Sequence, residues 1–288
     1  MTRSQLNLFD LAPGKVLLDR FRIVKPHRQG GMSAAFEVEA IEGGETRELQ
    51  VFLGNLFEDP AQSAEFAQRL EAWTALTSRA VVRPSELILL DDGSLVYVSD
   101  FPSGRSLRDV INEDGRLRPG PAIALVEDLL AGLQEIHGQG LVHGDIKPAA
   151  IYYDTDAGTG ALVDGGVTPG MWAAKHLGTR TALIGTPYYA PLEQFTGDSP
   201  DGNSDLYNVA TVLFEMLTGV LPWSGTSYIE VFQSKMMKAP PKMSERAPGS
   251  NVPEGLERIV AKGLMGARKE RYQTVEEFQT ELGGLQLG

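Results

Sequence analysis

The stretch LVHGDIKPAAIYYD, residues 141–154, sets a carboxylate, Asp145, two positions before an ammonium, Lys147, with Ala150 three positions beyond. Upstream of it, PAIALVEDLLAGLQEIH carries apolar residues at helical spacing, so the Asp–Lys loop leaves the end of a long helix. Working back toward the N-terminus, the pattern changes to strands joined by tight turns. RFRIVKP and AAFEVEA flank a glycine-containing loop, RELQVFL follows Gly43–Gly44, and ELILL and SLVYVS flank Asp92–Gly93. One helix interrupts them: Asp59 reads as its N-cap, Pro60 as its first residue, and Phe66, Leu70 and Trp73 as its apolar stripe. Working forward, SDLYNVATVLFEMLTG, GLERIVAKGL and TVEEFQTEL read as helices, with APPKMSERAPGSNVPEG as a loop between them. The fold class is therefore α+β, a small β-rich lobe followed by a larger α-helical one.

Composition excludes several functions. The 288 residues are 42% hydrophobic and 22% charged, enough apolar material for a large core. A net charge of −12 gives no electrostatic encouragement to nucleic acid or to an anionic membrane surface. The absence of cysteine removes disulfides, thiolate metal sites and a thiol nucleophile, and fits a reducing, cytoplasmic setting. The N-terminus has no signal-peptide core, and the longest apolar run, LYNVATVLFEMLTGVLPW, is interrupted by Asn208 and Glu215, so no membrane insertion is expected.

HGDIKPAAI, then VDGG, then GTPYYAPLEQF, together with QGGMSAAF, SDLYNVATVLFEMLTGVLPW and ARKERYQT, follow one another in an order that resembles the bacterial branch of the eukaryotic-like (Hanks-type) Ser/Thr protein kinases, from about residue 19 onward. The resemblance implies a protein-kinase-like bilobal fold: a flanking segment at 1–18, an N-lobe at 19–102, a C-lobe at 103–288, and a nucleotide cleft between the lobes. It also implies phosphoryl transfer, which depends on positioning and on neutralising charge.

Carried over residue by residue, the resemblance makes Asp145 the residue that orients the substrate hydroxyl and Lys147 the one that steadies the transferred phosphoryl, while Asp164 matches the metal-binding Asp. Other positions depart from the family. Phe52 stands at the phosphate-binding lysine of the strand, and no lysine occurs between Lys25 and Lys147 to replace it. Glu71 matches the helix glutamate that would pair with that lysine, or is an ordinary solvated carboxylate. Ala150 stands at the Asn that holds a second metal, Gly144 at the Arg of H-R-D, and Gly165 at the Phe after the metal-binding Asp, where it is expected to loosen the segment.

The three loop glycines fall at Arg28, Gly30 and Ser33, with Gly31 beside them. Gly30 and Gly31 leave backbone amides for a phosphate, and Arg28 is either a guanidinium donor to it or an exposed loop residue. Ser99 and Asp100 begin the hinge, Ser99 at the gatekeeper. Pro102 stands where a backbone N–H serves adenine, which proline lacks. Gln50, Phe52 and Tyr152 are larger than the residues the family carries and are expected to fill part of the cleft. Glu193 and Arg271 match a buried architectural ion pair, Asp205 the helix-start Asp that bonds the catalytic-loop backbone, and His143 a packing residue.

The expected function is that of a pseudokinase, a regulatory or scaffold module that requires no cofactor and works through a protein partner: a kinase, a kinase substrate, or a phosphopeptide-reading domain that recognises Thr179, Thr181 or Thr186 once phosphorylated. Two alternatives stand beside it. One is an atypical active kinase in which Arg28 or Lys25 replaces the lost lysine, with ATP and Mg²⁺ or Mn²⁺. The other is a nucleotide-binding switch without turnover.

Overall fold

The computed structural model describes residues 6–175, 187–237 and 239–285. Thr179, Thr181 and Thr186 lie outside the described residues. The chain divides into two compact units, a small one from residues 6–76, 82–102 and 173–175 and a larger one from 77–81, 103–172 and 187 onward.

The small unit is a six-stranded antiparallel sheet with one helix. Its strands are β1 (Val16–Leu17), β2 (Phe21–Gln29), β3 (Ala34–Ala40), β4 (Thr46–Phe52), β5 (Pro84–Leu89) and β6 (Leu95–Asp100), in the order β1-β2-β3-β4-β6-β5. The turn signals named above all fall between neighbouring strands, and Gly43, Gly44 and Gly93 take the positive φ that those turns need. One face of the sheet carries an apolar cluster of Phe21, Ile23, Phe36, Val38, Leu49, Val51, Val96 and Val98. Leu11 and Leu17, from the segment expected to flank the domain, are buried in that cluster, so the unit begins before residue 19. Helix α1 (Pro60–Glu71) starts as expected: Asp59 accepts from the backbone N–H of Gln62 and Pro60 opens the first turn.

The larger unit holds β7 (Arg105–Ser106), α2 (Leu107–Asp114), α3 (Pro119–Gly138), β8 (Ile151–Asp154), β9 (Thr159–Leu162) and α4 (Val167–Ala174) as far as Trp172, the last two residues of that helix being counted with the small unit. After these come α5 (Leu192–Phe195), α6 (Gly202–Thr218), α7 (Tyr228–Met237), α8 (Met243–Arg246), α9 (Glu254–Gly263) and α10 (Val275–Gly283). Helix α6 is buried from Ser204 through Thr218 because its neighbours cover it all round, which is why its sequence reads as nearly continuous apolar. Helix α8 falls inside the stretch read as a loop: Pro and Gly on both sides hid a single four-residue turn. Among the described residues no helix is long and apolar enough to cross a membrane.

Candidate functional site

In the small unit, β4 alternates its side chains between two faces, and Glu48, Gln50 and Phe52 share the face opposite the apolar cluster. Phe52 is fully buried, its ring 5.1 Å from that of Phe66 on α1 at an interplanar angle of 69°, and Phe66 in turn lies 5.6 Å from Phe57. The side chain at the lysine position thus packs onto the helix of its own unit. Gln50, also buried, donates from Nε2 to Ser33 Oγ at 2.9 Å. Glu71 is exposed at the end of α1, the solvated carboxylate of the two readings.

The glycine loop closes tightly, with Gly30 N–H donating to the Ser33 carbonyl at 2.9 Å. Arg28 is turned back onto the sheet, where its Nε and Nη2 donate to the two carboxylate oxygens of Glu48 at 3.1 and 2.6 Å. His27 Nδ1 contacts the same carboxylate at 2.6 Å, and the His27 ring stacks on Phe101 with centroids 4.4 Å apart. Lys25 pairs with Glu37 at 3.1 Å. Ser99 is buried with no hydrogen-bond partner for its hydroxyl, Asp100 pairs with Arg47 across the β4–β6 ladder, and Pro102 is buried.

In the larger unit, the Asp–Lys loop is braced from below. Asp205, fully buried in the first turn of α6, accepts from the backbone N–H of His143 at 2.9 Å and of Gly144 at 2.8 Å, while His137 Nε2 contacts it at 2.9 Å. His143 is buried with both ring nitrogens used: Nε2 donates to the Val163 carbonyl at 2.9 Å and Nδ1 accepts from Asp145 N–H at 3.3 Å. That pattern fits a side chain that packs and positions. Lys147 Nζ reaches Asp145 Oδ2 at 2.5 Å. Ala150 is buried in the short turn before β8, and Tyr152 is buried within β8 itself.

Gly144 takes a left-handed backbone at no steric cost, and Asp164 carries the backbone strain of the site. Gly144 has φ of +85°, and a Cβ there would come within 2.5 Å of Pro169 Cδ. Neither an arginine nor any other L side chain fits that position without moving α4. Asp164 has φ of +63°, a left-handed conformation uncommon for a non-glycine residue. Immediately after it the chain turns into α4 through Gly166 N–H to the His143 carbonyl (3.2 Å), Val167 N–H to the Asp164 carbonyl (3.3 Å) and Gly170 N–H to the Gly166 carbonyl (2.9 Å). Gly165 therefore sits in a tied segment, where looseness was expected. The glycines supply conformations for a tight helix entry, and Val167, Met171 and Trp172 bury α4.

Downstream, Arg271 and Glu193 form a fork, Nη1–Oε1 at 2.7 Å and Nη2–Oε2 at 2.9 Å. The remaining N–H groups of the guanidinium go to the carbonyls of Met265 and Gly266 and to Asn203 Oδ1, so its full donor set is satisfied. Lys235 on α7, 2% exposed, donates to the carbonyls of Pro187, Tyr188 and Ala190 at 3.3, 3.1 and 2.5 Å. Burial pushes this ammonium well below its ordinary value, with Arg271 adding to the shift and Glu193 opposing it. Nothing in the sequence separates Lys235 from a solvated helix lysine; its burial depends on α5 and α6, whose Phe195 and Tyr207 rings lie 5.4 and 5.3 Å away.

The protein kinase domain model matches residues 57–281. The chain belongs to the protein kinase domain family. It is similar over 269 residues to the serine/threonine-protein kinase PknB of Mycobacterium leprae, at 30% identity, covering 92% of this chain and 43% of that protein. It is 28% identical over 270 residues to the probable serine/threonine-protein kinase PknB of Lactococcus lactis, covering 93% and 42%. With the serine/threonine-protein kinase pkn3 of Myxococcus xanthus it is 25% identical over 275 residues, covering 93% and 50%. The chain thus spans half or less of the length of these relatives.

At the position that matches the family's second metal ligand, Ala150 presents a buried methyl, which coordinates nothing. Asp164 alone keeps a carboxylate where the family binds a cation.

Proposed function

We propose that this kinase-family chain is a pseudokinase, a regulatory or scaffold module whose phosphoryl transfer is absent or very weak. The observation that carries this reading is Phe52, fully buried against Phe66 where the family places its triphosphate-binding ammonium. Transfer needs cations on the oxygens that gain charge, and the small unit spends Arg28 on Glu48 and Lys25 on Glu37. Loss of about 3 kcal/mol of transition-state stabilisation slows a reaction roughly a hundredfold. The lost lysine, the lost metal ligand at Ala150 and the lost hinge donor at Pro102 act on separate requirements.

The output is then binding, within the cytoplasm, to a protein partner: a kinase, a kinase substrate or a phosphopeptide-reading domain. The framework kept for it is the rigid one, Asp205 under the Asp–Lys loop and Arg271 on Glu193. Incubation with γ-labelled ATP, Mg²⁺ or Mn²⁺ and a mixed Ser/Thr substrate should give no transfer above that of Asp145→Asn. Transfer that this substitution abolishes would reject the reading.

The contact between Asp145 and Lys147 favours a second reading, an atypical kinase working with Asp164 and a single metal. A nucleotide switch would differ from both by a melting shift with ATP and no transfer, about 2.7 kcal/mol at 100 times the dissociation constant.

A further inference from the structure

The cluster of His27, Arg28 and Glu48 is built into the small unit in a way that ordinary surface pairing is not. Glu48 is 1% exposed, and Arg28 and His27 retain 19% and 15% of their side-chain exposure. Residues 27 and 28 reach the carboxylate because β2 slips register against β3 between Pro26 and Arg28, a bulge that sets two β2 residues against one on the partner strand. Arg28 faces Ala35 and Ala35 faces Gln50, while Glu48 faces Glu37, so the guanidinium reaches its acceptor along a diagonal across β3. Phe101 closes the far face of the imidazole.

We propose that Glu48 is a latch: it fixes the β2 end of the glycine hairpin and withholds Arg28 from anionic ligands, so that opening it would convert the hairpin into an oligophosphate-binding loop. An incoming phosphate would have to break a bidentate, charge-assisted fork and leave the buried carboxylate with His27 alone. Burial raises the carboxyl of Glu48, but hydrogen bonds from His27 and Arg28 outweigh that, and the group lies below its ordinary value, so the latch is ionised at neutral pH. The inference rests on the pseudokinase reading only in taking Phe52 to leave Arg28 as the hairpin's potential phosphate donor.

The test uses inorganic tripolyphosphate, with ATP in a separate titration, followed by calorimetry on the full chain. Glu48→Gln should bind tripolyphosphate about tenfold more tightly than the native chain. Adding Arg28→Gln should remove the gain, and amide exchange over residues 27–36 should quicken in both. A folded Glu48→Gln with unchanged affinity overturns the latch, as does a gain seen with ATP alone, which would come from the base. Should Glu48→Gln fail to fold, Arg28→Gln in the native background decides. The latch requires tripolyphosphate affinity to stay the same while exchange quickens; a fall in affinity means Arg28 already serves the anion and contradicts it. Phosphoryl transfer by the native chain would end the pseudokinase reading yet leave the latch standing if Arg28→Gln did not alter that transfer.

Discussion

Phe52 on β4 lies edge-on to Phe66 on α1, ring centroids 5.1 Å apart, at the point where the kinase family joins the same strand and helix by a lysine–glutamate pair. An apolar contact stands where the family has an electrostatic tether, and Glu71 lies exposed at the end of α1. Aromatic edge contacts contribute about 0.5–1.5 kcal/mol beyond area burial, and they need no ligand to form. Helix α1 is thereby held whether or not a nucleotide is present.

Phe52→Ala should cost about 3–5 kcal/mol of stability, read as a lowered urea midpoint at unchanged m-value. Phe52→Lys should also destabilise and restore no transfer, because an ammonium there meets Phe66 before any carboxylate.

Glu193→Ala should cost about 3–5 kcal/mol, since it leaves the buried Arg271 guanidinium without its counter-charge. An unchanged melting curve would show that the carbonyls of Met265 and Gly266 suffice for it.

Gly144→Ala tests the packing of α4. The substitution strains a φ of +85° and drives a methyl into Pro169, so a loss of order 1–3 kcal/mol is expected. The fluorescence of the buried Trp172 should move to the red as α4 lifts. A stable variant with unshifted emission would contradict the contact.

Lys235 gives a pH dependence with a definite sign. Its folded value is depressed by burial, so between that value and the ordinary 10.5 the unfolded chain holds more protons than the folded one. Stability contributed at this site therefore rises as pH rises through that window and is lost as pH falls. Chemical denaturation at a series of pH values should show a shallower rise for Lys235→Met than for the native chain, and equal slopes would assign the ammonium an ordinary value.

The strands of the small unit, α1 with its Asp59 cap, and the long helices of the larger unit were legible because each depends on local pattern: alternation, capping chemistry and turn glycines. The reading of Phe52, Ala150, Gly144 and Pro102 as departures rests on motif order alone. What was hidden depends on register or on tertiary burial. Arg28 meets Glu48 through a bulge in β2 and across β3, a path no spacing rule encodes. Helix α4 was missed because VTPGMWAA carries Pro and Gly, although Pro169 falls in the first turn, where proline is tolerated. Leu11 and Leu17 looked like a leading segment until the sheet cluster gave them a place.

The central claim, that Arg28 and Lys25 are held by Glu48 and Glu37 and add nothing to triphosphate binding, is tested most directly by calorimetric titration of the native chain with ATP and with adenosine, both without metal. The account predicts that the triphosphate adds nothing, so ATP binds no more tightly than adenosine. ATP bound about a hundredfold more tightly, a gain of about 2.7 kcal/mol, would mean that some guanidinium or ammonium grips those oxygens, and would contradict it.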